Sequence, residues 1–320
     1  MRPIATALAL ALVALAALSS CGGDDDSEGA GGQPTTLTVG VLPINAVAPV
    51  YLGIDKGYFK QEQLTIKPKT FQGGAEIVPA VMAGDVQIGF SNSVSLMIAQ
   101  SKGLPVQVIA EGETSGAKKA EDDTAIVVAK DSQLRSPKDL EGTTIGVNTL
   151  QNIAEVTTNA SLEKKGVDVS KLKYVEVPFP EMVATLEGGD IDAAFVNEPF
   201  TTVAKQAGHR FIVRPYTETA PDLPIAPWFT SRQYLEENQD VVERFRRALE
   251  RSSQYAADHP EDVRRTVLEY SETPRAIAQQ MSLPEFAVGL EQERYQVIAD
   301  LVEKYGLAEK VDVSELLGER

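Results

Sequence analysis

Cys21 is the only cysteine among 320 residues, and there are just two histidines, His209 and His259. An intramolecular disulfide is therefore excluded, and thiolate–imidazole metal sites or a cysteine–histidine nucleophile lack their parts. Positive charge is also scarce, with 30 Lys and Arg against 46 Asp and Glu and a net charge of −16. Nucleic acid is not expected as a partner, because affinity there rests on neutralising phosphates. Nor does the charge give electrostatic hold on anionic lipid. The apolar run at residues 4–18 is fifteen residues long, short of the roughly 20 needed to span a bilayer as a helix. The sequence has no G-x-S-x-G, no H-E-x-x-H and no Walker loop, and "SLEK" at Ser161 has no S-D-N or K-T-G companion. Catalytic residues, cofactors and metals are accordingly not expected.

The apolar run does have the length of a signal-peptide core, preceded by Met1 and Arg2 and followed by "LSSC". That tetrapeptide resembles a bacterial lipobox. It implies that residues 1–20 are removed and that Cys21 is acylated as the first mature residue. Residues 22–36, "GGDDDSEGAGGQPTT", contain no branched apolar or aromatic residue. They cannot bury enough surface to offset their ordering entropy, so 21–36 is expected to be a flexible tether. A lipid anchor on such a tether would hold the protein at the outer face of the bacterial cytoplasmic membrane. Loss of Arg2 would take the mature charge to −17.

The chain from Leu37 onward is too long for one comfortable core and suggests two lobes. Short strand-like runs alternate with helical ones, the α/β signature. "LTVGVLP", "LTIKPKTF", "VQIGF" and "VQVIAE" read as strands, separated by helices at "APVYLGIDKGYF", "AEIVPAVM" and "SVSLMIAQS". Gly57 suits a left-handed helix stop, and Pro79 should leave its helix short, kinked or late in starting. The pattern restarts at "SPKDLEG", where Ser136 can cap, and continues through "TTIGV", a helix from Ile153, "KYVEV", "EMVATLE", "DAAF" and a helix from Pro199. The last hundred residues read as mostly helical, with Val242, Phe245, Leu249 and Ala256 sharing one face and Tyr295, Ile298, Val302 and Tyr305 another.

One phrase occurs twice. "AGDVQIGFSNS" begins at Ala83 and "GGDIDAAFVNE" at Gly188, and six of seventeen positions agree between residues 76–92 and 181–197. Each copy ends a helix at Gly-Asp, runs through a buried strand, and closes in Phe-x-Asn before another helix. Ligands of open α/β sheets bind beyond the carboxyl ends of strands, so the two copies should face each other across a cleft. Gly84 and Gly189 are expected to be turn glycines.

The stretches "APVYLGIDKGYFKQEQLTIK", "GGAEIVPAVMAGDVQIGFSNS", "SPKDLEGTTIGV" and "FPEMVATLEGGDIDAAFVNEPF" resemble the solute-binding proteins of the nitrate/sulfonate/taurine and thiamine-pyrimidine-precursor family, the receptors of ABC importers. The resemblance implies an α/β fold of the two-lobe periplasmic-binding-protein type II, with a ligand cleft between lobes. It implies residues 37–128 with 226–320 as the first lobe, 129–225 as the second, and "TAIVVAK" and "APWFTSR" as crossovers. It further implies a monomeric receptor whose partners are a small solute, the permease subunits and, through the anchor, the membrane. The alternatives are an enzyme of the related pyrimidine-synthase type, whose cysteine cluster is missing here, and an interaction lipoprotein with no transport role.

The cleft loops expected from this reading are 42–50, 71–75, 90–94, 147–153 and 195–200, which contain no Lys or Arg and one formal charge, Glu198. The candidate ligand contacts are Asn45, Gln72, Gly73, Gly74, Ser91, Asn92, Ser93, Asn148, Asn152, Asn197, Glu198 and Trp228. A bare anion would have only backbone N–H groups for support, whereas Glu198 would suit a ligand bearing N–H donors, such as an aminopyrimidine or the amine of taurine. Glu198 has a plainer use as a cap for the helix at Pro199, and Trp228 as hinge packing.

Overall fold

In the computed structural model the described residues are 34–116, 118, 122–286 and 289–318; Cys21 and the expected signal segment lie outside them. The first strand, β1 (Thr35–Val41), begins two residues inside the stretch read as tether. Its β-branched Thr35 and Thr36 already pair with Leu64 and Thr65 of β2 (Leu64–Thr70), so backbone hydrogen bonds order residues that apolar content alone would leave loose.

Two five-stranded sheets are built on one plan. The first has the order β2-β1-β3-β10-β4, with β3 at Ile88–Phe90, β4 at Val106–Thr114 and β10 at Pro224–Ser231. The second has the order β7-β6-β8-β5-β9, with β5 at Ala125–Val128, β6 at Thr144–Val147, β7 at Lys173–Glu176, β8 at Ala193–Val196 and β9 at Arg210–Val213. In each sheet four strands run one way and one runs antiparallel to both its neighbours: β10 against β3 and β4, β5 against β8 and β9. The chain therefore passes from the first sheet to the second between β4 and β5 and returns through 214–223, between β9 and β10. The sequence resemblance puts β5 with the first lobe, but its hydrogen bonds place it in the second sheet. Its "AIVV" is buried throughout, as a strand covered on both faces should be.

The repeated phrase occupies the same place in both sheets. Helix α3 (Gly74–Met82) leads through Gly84 into β3, and α6 (Phe179–Gly188) leads through Gly189 into β8. Both glycines are left-handed, with φ of 80° and 79°, a conformation that costs a side-chain-bearing residue about 1–2 kcal/mol. β3 and β8 each lie between a parallel neighbour and an antiparallel strand; β3 ends at buried Phe90, and β8 carries buried Phe195 one residue before its end. α3 continues unbroken through Pro79, the sixth of its nine residues, whose missing N–H removes one helical hydrogen bond.

Helices cover the sheets. α1 (Ala48–Asp55) stops before Gly57, whose φ of 74° turns the chain into α2 (Tyr58–Gln61). α4 (Ser93–Ser101) follows β3, α5 (Ile153–Glu163) follows β6, and α7 (Phe200–Gln206) and α8 (Pro215–Thr219) flank β9. The remaining chain forms α9 (Arg232–Glu237), α10 (Gln239–Asp258), α11 (Pro260–Tyr270), α12 (Arg275–Ala278), α13 (Gln292–Lys304) and α14 (Val313–Leu317). α10 buries Val242, Phe245, Leu249 and Ala256 on one face, as their spacing requires. Phe245 lies 5.4 Å from Phe59 of α2 and 6.0 Å from Trp228 of β10, which ties the C-terminal helices to the first sheet. Among the described residues no helix is long and apolar enough to cross a membrane.

Candidate functional site

A cavity of about 30 Å³ lies where the carboxyl ends of β1, β3, β6 and β8 converge. From the first sheet it is lined by Leu42 and Ile44 after β1, Gly74 at the start of α3, Phe90, Asn92, Glu113 of β4, and Ile225 and Ala226 of β10. The second sheet contributes Asn148 after β6, Asn152 and Ile153 at the start of α5, Phe179, Phe195, Asn197 and Tyr216. That is room for a water or two, so an organic solute enters only if the sheets part or the lining rings turn.

Five sequence candidates line this cavity: Gly74, Asn92, Asn148, Asn152 and Asn197. The two strand-end asparagines of the repeat, Asn92 and Asn197, thus meet at one site. Their chemistry differs. Asn92 caps α4, accepting from the Ser95 N–H at 2.9 Å and donating to Ser95 Oγ at 3.0 Å. Asn152 likewise caps α5 through the Ala154 N–H and donates to Asn148 and Thr149. Asn197 is 4% exposed, its side chain lies beside Tyr216, and its Oδ1 has no hydrogen-bond partner.

The other candidates lie around the cavity without lining it. Gln72 is exposed and its N–H donates to Glu76. Gly73 faces Thr149 of the second sheet so closely that a Cβ there would fall 2.3 Å from Thr149 Cγ2. Ser91 is buried behind Gly74, Ser93 donates to the Pro224 carbonyl, and Asn45 donates to the Ser282 carbonyl. Trp228 packs on Phe90 at 4.9 Å, within the core. Glu198 turns inward: its carboxylate accepts from the Thr202 N–H and hydroxyl and from the Ser282 N–H. This is the capping role, extended to the C-terminal segment.

Sequence reasoning missed Glu113, the one charged residue lining the cavity, because it ended β4 at Glu111. Pairing continues to Thr114, and register shifts on both sides of Ala226, opposite Glu113, break the ladder there. Such bulges bend a strand and redirect its side chains. The available signal was chemical: two glutamates close together after an apolar run, a residue type almost never buried without a partner.

Glu113 is 1% exposed and its Oε1 has no hydrogen-bond partner. Burial first, and then the charges of Asp123, Asp122 and Glu111, hold its carboxyl well above the usual range. Asp123, 3% exposed on the crossing just before β5, is pushed up to about 8 by burial and by Asp122 and Glu198, with Asn45 and Arg214 opposing. Asp122 is better served, accepting from the N–H and hydroxyl groups of Thr124 and Thr217. Arg214 donates to the Asp122 and Thr124 carbonyls at 3.0 and 2.6 Å, and no Lys or Arg lines the cavity. Among the described residues no group of three or more His, Cys, Asp or Glu is arranged to hold a metal ion. Ser161 of the S-x-x-K match donates to the Thr158 carbonyl, while Lys164 reaches the Thr219 carbonyl.

Comparison with known proteins agrees with this architecture. The taurine-binding periplasmic protein of Escherichia coli is 28% identical over 207 residues, 64% of this chain and 62% of that protein. The matched stretch thus spans less than two thirds of that relative's length. The formylaminopyrimidine-binding protein of Halalkalibacterium halodurans is 22% identical over 261 residues, 80% of this chain and 76% of the relative. Among solved structures, the alkanesulfonate-binding protein of Xanthomonas axonopodis pv. citri bound to MOPS superimposes with a TM-score of 0.77 at 19% identity, covering 89% of this chain and 99% of that one. The fold is therefore that of periplasmic binding proteins. The family model described as NMT1/THI5 like matches residues 45–263, more than half of the sequence, and the chain belongs to the NMT1/THI5-like family.

Proposed function

We propose that the protein is the extracytoplasmic solute-binding receptor of an ABC importer, a clamp that captures a small organic solute between its sheets and hands it to the permease. The observation that carries this reading is the cavity lined from the strand ends of both sheets, with the two repeat asparagines on opposite walls. A solute touching both walls binds the closed form better than the open one, and only that difference can drive closure. The return crossing at 214–223 serves as a hinge, so the lobes move about the segment that carries Tyr216. Relatives whose names record taurine and formylaminopyrimidine binding support the same role.

Lipidation at Cys21 completes the proposal by holding the receptor beside its permease. Treatment with globomycin or the substitution Cys21→Ser should release or mislocalise the protein; a Ser variant that stays membrane-bound and fully processed contradicts the anchor. The receptor role is tested by deleting the gene and measuring uptake across a panel of sulfonates, nitrate, taurine and aminopyrimidines. Loss of uptake of one solute, with no turnover of that solute by the purified protein, is expected; turnover would favour an enzyme.

A further inference from the structure

We infer that the solute is a small organic cation, an ammonium or protonated amino-heterocycle, whose positive charge lies against Glu113 and whose N–H groups donate to Glu113 and Asn197. The inference rests on the receptor reading and names the class of solute for the same cavity. Its first support is what the lining offers. Glu113 Oε1 and Asn197 Oδ1 are both acceptors, both belong to residues more than nine-tenths buried, both line the cavity, and neither has a hydrogen-bond partner. A buried acceptor left unpaired is costly, and a ligand N–H relieves it.

The second support is independent of the carboxylates. Phe90, Phe179, Phe195 and Tyr216 bring aromatic rings to the cavity from both sheets, and ring faces attract cations as well as planar heterocycles. A simple anion finds the reverse. No Lys or Arg lines the cavity, and the amide N–H groups of Asn92 and Asn152 already donate within the protein.

Charge balance sets the sign of the pH dependence. Facing Glu113 are Glu111 from its own strand, Asp122 and Asp123 from the crossing and Tyr216 from α8; the nearby cation is Arg214, committed to backbone carbonyls. With the cavity closed on itself, burial and the neighbouring carboxylates favour the protonated form of Glu113. An incoming cation favours the carboxylate, so binding expels that proton. Cation affinity must then fall as pH falls, because protons compete for the same oxygen. An anion accepted by a protonated Glu113 would bind more tightly at low pH, the opposite sign.

Calorimetric titration of the mature chain with benzylammonium and 4-aminopyridinium, and separately with methanesulfonate and nitrate, tests this directly. At pH 8 at least one cation should bind saturably, with affinity at least tenfold lower at pH 5.5 and at least tenfold lower in Glu113→Gln, and neither anion should saturate. The pH arm uses native protein and so stands even if the variant misfolds. Saturable binding of methanesulfonate or nitrate without either cation overturns the inference and leaves the receptor reading in place. Cation binding indifferent to both pH and Glu113→Gln also overturns it. Silence from every probe counts against the inference and the receptor reading together.

Discussion

Glu111 gives the account a magnitude that can be measured without knowing the solute. It lies 2% exposed on β4, accepts from the Tyr295 hydroxyl of α13 at 2.8 Å, and burial pushes its carboxyl up to about 8 from an ordinary 4.5. Because the folded state holds the proton more tightly than the unfolded chain, the stabilisation is fully present below pH 4.5 and is lost as pH rises toward 8. Each pH unit in that window costs about 1.4 kcal/mol, on the order of 5 kcal/mol across the window, which is a large part of the roughly 5–15 kcal/mol that holds a typical domain folded. The substitution Glu111→Gln removes the titration and keeps an acceptor for Tyr295. Urea unfolding at pH 5.5, 6.5, 7.5 and 8.5 should therefore show native stability falling more steeply with pH than that of the variant, by up to about 1.4 kcal/mol per unit, with the variant the more stable protein at pH 8.5. Asp123 titrates in both proteins, while Glu113, which the Glu111 charge helps to hold protonated, titrates less steeply in the variant and shifts the difference in the same direction. Parallel curves for the two proteins would refute the reasoning.

Other outcomes depend on single contacts. Glu198→Gln should destabilise by about 1–3 kcal/mol in urea, because an amide cannot accept from all three donors that its carboxylate serves, while solute affinity changes less than threefold. Trp228→Ala should cost about 3–5 kcal/mol by the same assay, since the indole fills the core between Phe90 and Phe245. Gly73→Ala should weaken solute binding several-fold with little change in unfolding midpoint, because its methyl would meet Thr149 only when the lobes close.

Much of the fold was legible because hydrophobic period and turn glycines act locally. The strand-turn-helix units, the left-handed Gly57, Gly84 and Gly189, and the buried face of α10 all follow from spacing that a reader can count. The repeated phrase carried more, since its two copies occupy equivalent places in two sheets of equivalent order. Pairing partners were less legible. Thr35 and Thr36 look like tether until β2 supplies their hydrogen bonds, and "AIVV" looks like either lobe until β8 and β9 claim it. The site divided along the same line: Asn92, Asn148 and Asn197 sit at strand ends and Asn152 at a helix start, positions sequence can mark. Glu113 reaches the cavity because the ladder breaks opposite Ala226, a long-range irregularity with no local signature. Glu198 was visible, but only the tertiary contact with Ser282 showed that its carboxylate is already spoken for.

The central claim, that solute is held between lobes that must part to exchange it, is tested most directly by locking them. A Cβ at Gly73 lies 3.5 Å from Thr149 Cβ, within the roughly 3.5–4.5 Å range of disulfide-linked residues. In a Cys21→Ser background, Gly73→Cys with Thr149→Cys should oxidise to a cross-link between the sheets, and the exchange rate of the solute that saturates native protein should then be read oxidised and reduced. The oxidised protein should neither take up nor release solute, and reduction should restore both. Equal exchange in the two states, with the cross-link verified, would contradict it.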